Sequence, residues 1–273
     1  MCIRDRGVSG ANEAKRVQKE YMQNHRLNIP TLLMADIIHG FRTIFPIPLA
    51  LGSTWDEAAV EKMAEISAKE AAVSGLHVTF SPMVDLVRDP RWGRVMESTG
   101  EDPLLNSRLA AAMVRGYQGE NLKEDNWRVA ACVKHFAAYG GALAGRDYNT
   151  VDMSERQLRE MYLPGYKAGL DAGAKLVMTS FNTVDGIPAT GNQWLFRDVL
   201  RNEFGFEGVV ISDWGAIKEL IPHGVAKDEK QAAELAIKAG VDIEMMTTCY
   251  PDYLKELLEE GRIAETLIDE AVM

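Results

Sequence analysis

The sequence predicts an α/β fold, a TIM-type (β/α)8 barrel of parallel strands, and three observations predict it. Short apolar, β-favouring runs recur at 31–35, 77–81, 129–133, 175–180, 208–212 and 241–246, with amphipathic helical segments between them. Strict alternation of this kind calls for parallel strands joined by right-handed crossovers. Residues suited to chemistry stand directly after these runs: Asp36 and His39, the segment 88–103, Lys134 and His135, Ser180 and Phe181, Asp213 and Trp214. A barrel opens the C-terminal ends of all its strands onto one face, so five separated positions would meet in one pocket. A doubly wound sheet would gather its ligand at one switch point, commonly beside a glycine-rich phosphate turn, and the sequence holds no GxGxxG or P-loop pattern.

Taken in order, the elements carry their own signals. The opening MCIRDRGVSG has no apolar run long enough for a strand. The barrel is therefore expected to be incomplete at its N-terminus, with the first six residues foreign to the gene and the barrel domain running over 11–273. Thr54 with Glu57, and Ser154 with Gln157, have the spacing of capping boxes, the first followed by Val60, Met63 and Ile66 at helical spacing. Gly75 and Gly173 stand where a helix should stop. Cys132 lies inside an apolar run as a small core residue. A weak seventh strand is expected near 220–223 and the last at 241–246, which makes seven strands and one missing. Losing a strand leaves edges unpaired and core uncovered.

Composition narrows the function. The 273 residues are 47% hydrophobic and 26% charged, ordinary for a soluble globular chain, and no linker or internal repeat divides them. A net charge of -10 argues against nucleic acid, which needs a basic face. No apolar run reaches the roughly 18 residues of a membrane span, and no secretory leader is visible at the start. Cys2, Cys132 and Cys249 have neither metal spacing nor an obvious pairing, and no His or Cys pair suits a metal, so neither metal nor cofactor is expected.

The segment 88–103, RDPRWGRVMESTGEDP, sets three arginines and four carboxylates around one Trp, two Gly and two Pro. It has neither helical nor strand period, and charge this dense is costly to bury unless the groups pair with each other or with a ligand. It reads as an ordered functional loop, against the plainer reading of a solvated surface loop. Asp213, in VVISDWGAI, reads as a catalytic carboxylate or as the cap of the next helix. Lys134 and His135 read as donors to a polyhydroxylated ligand or as a partly exposed strand end. Asp36 reads as a hydroxyl acceptor or as a loop cap. His25, His77 and His223 have no partner in the sequence pattern and read as structural or exposed.

Together the segments ADIIHGFRTIFPIPLALGSTWD, FSPMVDLVRDPRWGRVMESTGEDP, VKHFAAYGGALAGRDYNTVDMSERQLREMYLPGYKAGLDAGAKLVMTSFN and GFEGVVISDWGAIKELIPHG occur in one order. In that order the chain resembles glycoside hydrolase family 3, bacterial β-glucosidases of the periplasmic type in particular, from about Ala11 to the last residue. The resemblance implies Asp213 as nucleophile. It implies Asp36, Arg94, Lys134, His135 and Arg146 as the lining of the nonreducing-sugar subsite, with Phe181 and Trp214 as walls.

What the resemblance implies is a retaining, exo-acting β-glucosidase working through a glycosyl–Asp intermediate on a β-glucoside or oligosaccharide. A homodimer of the full-length protein and a periplasmic or extracellular location are consistent with it. Retaining hydrolysis needs a second group, about 5–5.5 Å from the nucleophile when it is a carboxyl, to protonate the leaving oxygen. In the resembled enzymes that acid/base Glu comes from an α/β domain beyond the barrel, which this sequence is expected to lack. Glu97 and Glu101 are the acids at hand, with the loop's own arginines as their expected partners. The family's β-N-acetylglucosaminidases carry a His on the loop after the KH pair, and FAAYGGALAGRDYN has none. β-Xylosidase remains the sibling alternative. A Schiff-base lyase acting through Lys134 and a sugar-binding protein without catalysis are the alternatives from other classes.

Overall fold

The computed structural model describes residues 2–3, 10–148 and 150–273. Its elements are β1 (Cys2–Ile3), α1 (Ala11–Asn24), β2 (Leu32–Ala35), α2 (Pro48–Gly52), α3 (Glu57–Val73), β3 (Val78–Thr79), α4 (Pro103–Gln118) and β4 (Ala130–Phe136). After these come α5 (Glu155–Gln157), α6 (Leu163–Asp171), β5 (Leu176–Thr179), β6 (Thr183–Val184), β7 (Ile187–Pro188), β8 (Val209–Ile211), α7 (Glu229–Ala239), α8 (Cys249–Glu259) and α9 (Glu265–Val272). Leu158–Tyr162 and Trp194–Glu203 are wound as π-helix.

One parallel sheet runs in the order β1, β2, β3, β4, β5, β8, and β6 pairs with β7 as a small antiparallel hairpin. The strands β2 to β5 and β8 curl into a half-barrel. Each expected run up to 208–212 holds a strand, β4 alone running past its run, to Phe136. The run 241–246 contributes a parallel bridge, Ile211 to Ile243, which continues the ladder past β8. Among the described residues the ladder does not return from Ile243 to β1, so the barrel expected to lack one strand is observed as an open arc that falls further short of closure than that expectation.

Three further expectations are corrected. Cys2 and Ile3 pair in parallel with Leu32 and Leu33, so the opening segment supplies a short strand after all; two residues suffice where a partner strand offers its edge. Residues 1 and 4–9 of that segment lie outside the described residues. The weak seventh strand at 220–223 is helical turn instead. Glu219 N–H donates to the Gly215 carbonyl, Ile221 to Lys218 and His223 to Glu219. A short apolar run does not by itself distinguish strand from turn, and here local bonds took up its backbone groups. The helix α3 is capped by Asp56, whose carboxylate accepts from Ala59 N–H at 3.0 Å, and not by Thr54, which donates to the Leu51 carbonyl. Ser154 caps α5 as its spacing implied, accepting from Gln157 N–H.

Side chains alternate between the two faces of the sheet. Ala131, Val133, Val177 and Val210 pack with the helices in one large core, while Met34, Val78, Phe80, Cys132, Leu176, Met178, Ile211 and Met245 fill a second cluster on the other face. Both faces of β5 are buried, as parallel strands require. A third cluster, Met83, Val87, Trp92, Tyr139, Phe181 and Ala216, caps the strand ends. It forms the floor of the site.

Candidate active site

Strand ends deliver the polar groups. Asp36 follows β2, and its Oδ1 takes the Lys134 ammonium at 2.8 Å. Lys134 and His135 lie in the last turns of pleat of β4, where the pairing to β5 slips: Val133 faces Val177, but Phe136 faces Thr179. The extra residue breaks the strict alternation that would send neighbours to opposite faces. The peptide bonds Ser81–Pro82, Lys134–His135 and Phe136–Ala137 are cis.

Lys134 and His135 are both buried, and each is held by a carboxylate. His135 Nδ1 meets Asp85 Oδ2 at 2.7 Å, and its Nε2 lies 3.3 Å from Asp213 Oδ2. Nε2 is enclosed and makes no well-formed hydrogen bond with the protein.

Asp213 stands just beyond β8. Its Oδ1 accepts from Trp214 N–H at 2.6 Å, and its backbone N–H reaches Thr179 Oγ1 at 3.3 Å. Ser212 Oγ accepts from Met245 N–H, which ties this strand end to the next run. The Asp213 carboxylate bonds its immediate neighbour and not the second or third residue of a helix, so it is not a helix cap.

The segment 88–103 is an ordered loop. Arg94 grips Glu97 through two bonds of 2.7 and 2.9 Å, and Arg91 pairs with Asp89. Burial opposes the charge on both Arg94 and Glu97, but the pairing prevails; Arg94 titrates above and Glu97 below its ordinary range. Glu97 thus has the arginine partner expected for it, whereas Glu101 is exposed. The Arg94 guanidinium also lies 5.6 Å from the Tyr139 ring centroid.

Trp92 Nε1–H donates to Asp147 Oδ1 at 3.0 Å, which docks the loop after β4 onto this one. The approach is close: a Cβ on Gly145 would come within 2.8 Å of Trp92 N. Arg146 is carried at this junction with its side chain exposed. Phe181 is buried against Tyr139 and stacks on Tyr148 at 4.4 Å, and Trp214 is 38% exposed beside Asp213.

Of the eight residues singled out from sequence, Asp36 with Lys134 and His135 with Asp213 are brought into direct pairs. Arg94 and Phe181 meet through Tyr139, while Trp214 and Arg146 are at the open side. Sequence reasoning missed Asp85, Tyr139, Tyr148, Tyr166 and Glu219. Asp85 had a signal, since a lone carboxylate in the apolar run FSPMVDLV must find donors. The Tyr139 and Tyr148 rings sit in a glycine-rich loop with no period to mark them. Burial raises the Tyr148 hydroxyl to about 12, helped by Glu219 and Asp213, and burial followed by the Asp213 charge raises Glu219 to about 7. The remaining histidines are structural, with His77 Nδ1 accepting from Leu33 N–H and His223 Nε2 at 3.1 Å from the Phe181 carbonyl.

A parallel half-barrel with carboxylates, cations and aromatic rings gathered at its strand ends is the frame of an α/β enzyme pocket. The profile of the glycosyl hydrolase family 3 N terminal domain matches residues 7–273, and the chain belongs to that family. A periplasmic beta-glucosidase of Salmonella typhimurium is 47% identical over 259 residues, which cover 95% of this chain and 34% of that protein. A beta-xylosidase of Formosa agariphila is 36% identical over 268 residues, 91% of this chain and 37% of that protein. Among solved structures, the beta-glucosidase from Listeria innocua in complex with glucose has a TM-score of 0.96 and 62% identity over 97% of this chain and 37% of that one. The same figures hold for a mutant of that enzyme in complex with laminaribiose. The chain spans about a third of the length of these relatives.

Proposed function

We propose that the chain carries the nonreducing-sugar pocket and the nucleophile of a retaining, exo-acting β-glucosidase. The observation that carries this reading is the Asp213 carboxylate at its strand end, fixed by Trp214 N–H on one oxygen and facing His135 with the other. Attack of Oδ2 on the anomeric carbon expels the aglycone and leaves a glycosyl ester, which water then hydrolyses. Lys134, His135, Asp36 and Arg94 bind ring hydroxyls, with Arg146 at the rim, and hold the sugar in place, while the Asp213 carboxylate offsets the positive charge that develops on it. Phe181 and Trp214 supply apolar walls. The acid/base group comes from the part of the protein that the relatives carry outside the matched third, and the half-barrel is most of a (β/α)8 barrel. The complexes of the Listeria enzyme with glucose and laminaribiose support a glucoside as substrate.

The test is a 2-deoxy-2-fluoro-glucoside with a good leaving group, given to the full-length gene product. Mass spectrometry should find the adduct on the peptide containing Asp213, and Asp213→Asn should abolish it. Labelling elsewhere with full activity in that variant would sink the assignment. The resemblance to a beta-xylosidase gives a second reading, which a higher kcat/KM on an aryl xyloside than on the aryl glucoside would select.

A further inference from the structure

We propose that Asp85 is the positioning residue that keeps a proton on His135 Nδ1 and thereby turns Nε2 toward Asp213. The proposal rests on reading His135 as a residue of the sugar pocket. Asp85 is fully buried, and its two oxygens have divided tasks. Oδ2 receives both the backbone N–H of His135 at 3.1 Å and the ring Nδ1 at 2.7 Å. Oδ1 faces the Tyr166 hydroxyl at 2.7 Å.

A backbone N–H can only donate, so the atom at the Oδ2 position must accept. An accepting oxygen at 2.7 Å in turn demands a proton on Nδ1. In a neutral ring Nε2 then carries the lone pair. That nitrogen is enclosed and without a well-formed hydrogen bond, 3.3 Å from the Asp213 oxygen. Were Asp85 unable to accept, Nδ1–H would lose its partner, the ring could turn, and Nε2 would no longer be held toward Asp213.

The clamp is itself clamped. Tyr166 is buried, its oxygen lies 2.6 Å from the His135 carbonyl, and it accepts from Ala138 N–H at 3.2 Å. The Asp85 carbonyl accepts from Ser98 Oγ–H at 2.7 Å, which ties this point to the charged loop. Asp85 has no exposed surface of its own, and among the pocket residues its hydrogen bonds go to His135.

The experiment has a binding-independent arm and a kinetic arm. In the 15N-labelled chain, long-range 1H–15N spectra of the histidine side chains should show a protonated Nδ1 on His135 at every pH where the fold persists. A bare Nδ1 with a protonated Nε2 overturns the proposal without any variant. In the full-length gene product, Asp85→Ala should lower kcat on an aryl glucoside by a factor on the order of 10² and move its pH profile. Asp85→Asn can still place an amide oxygen at the Oδ2 position, so it should keep the Nδ1 proton and recover most of the activity. Equal loss in both variants, or wild-type kinetics in Asp85→Ala, overturns the proposal; should Asp85→Ala fail to fold, the wild-type spectrum decides. If glucosides are not turned over but the spectrum shows the Nδ1 proton, the glucosidase reading fails and the Asp85 assignment stands.

Discussion

Glu219 lies in the helical turn beyond Asp213, half-exposed overall, with Oε2 enclosed and without a partner among protein atoms. Burial first, and the Asp213 charge second, raise its carboxyl to about 7. A folded value above the unfolded one means that the native chain holds this proton more tightly. The stability it contributes is complete below about pH 4.5 and is lost as pH rises through about 7. Glu219→Gln should therefore stabilise the chain at pH 8 relative to wild type by on the order of 1 kcal/mol, a figure already discounted for its partial exposure, and by much less at pH 4.5. Urea unfolding at the two pH values checks this, and a pH-independent difference would refute it. At Lys134 and His135 the expectation is kinetic. Alanine at either should lower turnover of the full-length gene product by a factor on the order of 10², and added zinc should not restore it. These two residues and Asp213 were legible in the sequence because each follows an apolar run. Tyr139 was not, because its ring partners Trp92 and Phe181 come from far along the chain, and Asp85, marked only by its apolar setting, finds its partner His135 on another strand.

Among elements, α4 meets α3 closely at Gly116. A Cβ there would stand 2.3 Å from the Glu61 carbonyl oxygen and 2.6 Å from Ala64 Cβ. The gain in helix propensity from Gly to Ala, about 1 kcal/mol, cannot offset a clash with backbone. Gly116→Ala should destabilise the chain by about 1–3 kcal/mol in urea unfolding. Gly93 in the charged loop has open space around its Cβ position and should tolerate Ala within about 0.5 kcal/mol. Helix stops at Gly75 and Gly173 were readable, since both take the left-handed backbone that glycine alone adopts freely. The start of α3 was misplaced by two residues because Thr54 and Asp56 are both good caps, and only the geometry chooses between them. The strand at 220–223 failed for a similar reason. Apolar character told that Leu220 is buried, not how its backbone is bonded.

At the scale of the whole molecule, the half-barrel brings Asp213, Lys134, His135 and Asp36 to one face, and hydrolysis of a glycosidic bond by the proposed route needs one thing more. Protonation of the leaving oxygen typically contributes about 10² to 10⁴ in rate, most for aglycones that leave badly. Glu97 is held by Arg94 and titrates low, so it is a poor proton donor. Residues 1–273 assayed alone should therefore hydrolyse cellobiose poorly even where they bind glucose, and residual activity should appear first on an activated aryl glucoside. The full-length gene product, measured beside it, should hydrolyse both. Cellobiose turnover by the isolated chain equal to that of the full-length product would place an acid/base group within these residues. Glu219, with its proton retained to about pH 7 and its charge coupled to Asp213, would then be the first carboxyl to replace. Loss of that activity in Glu219→Gln, with trapping at Asp213 intact, would identify it.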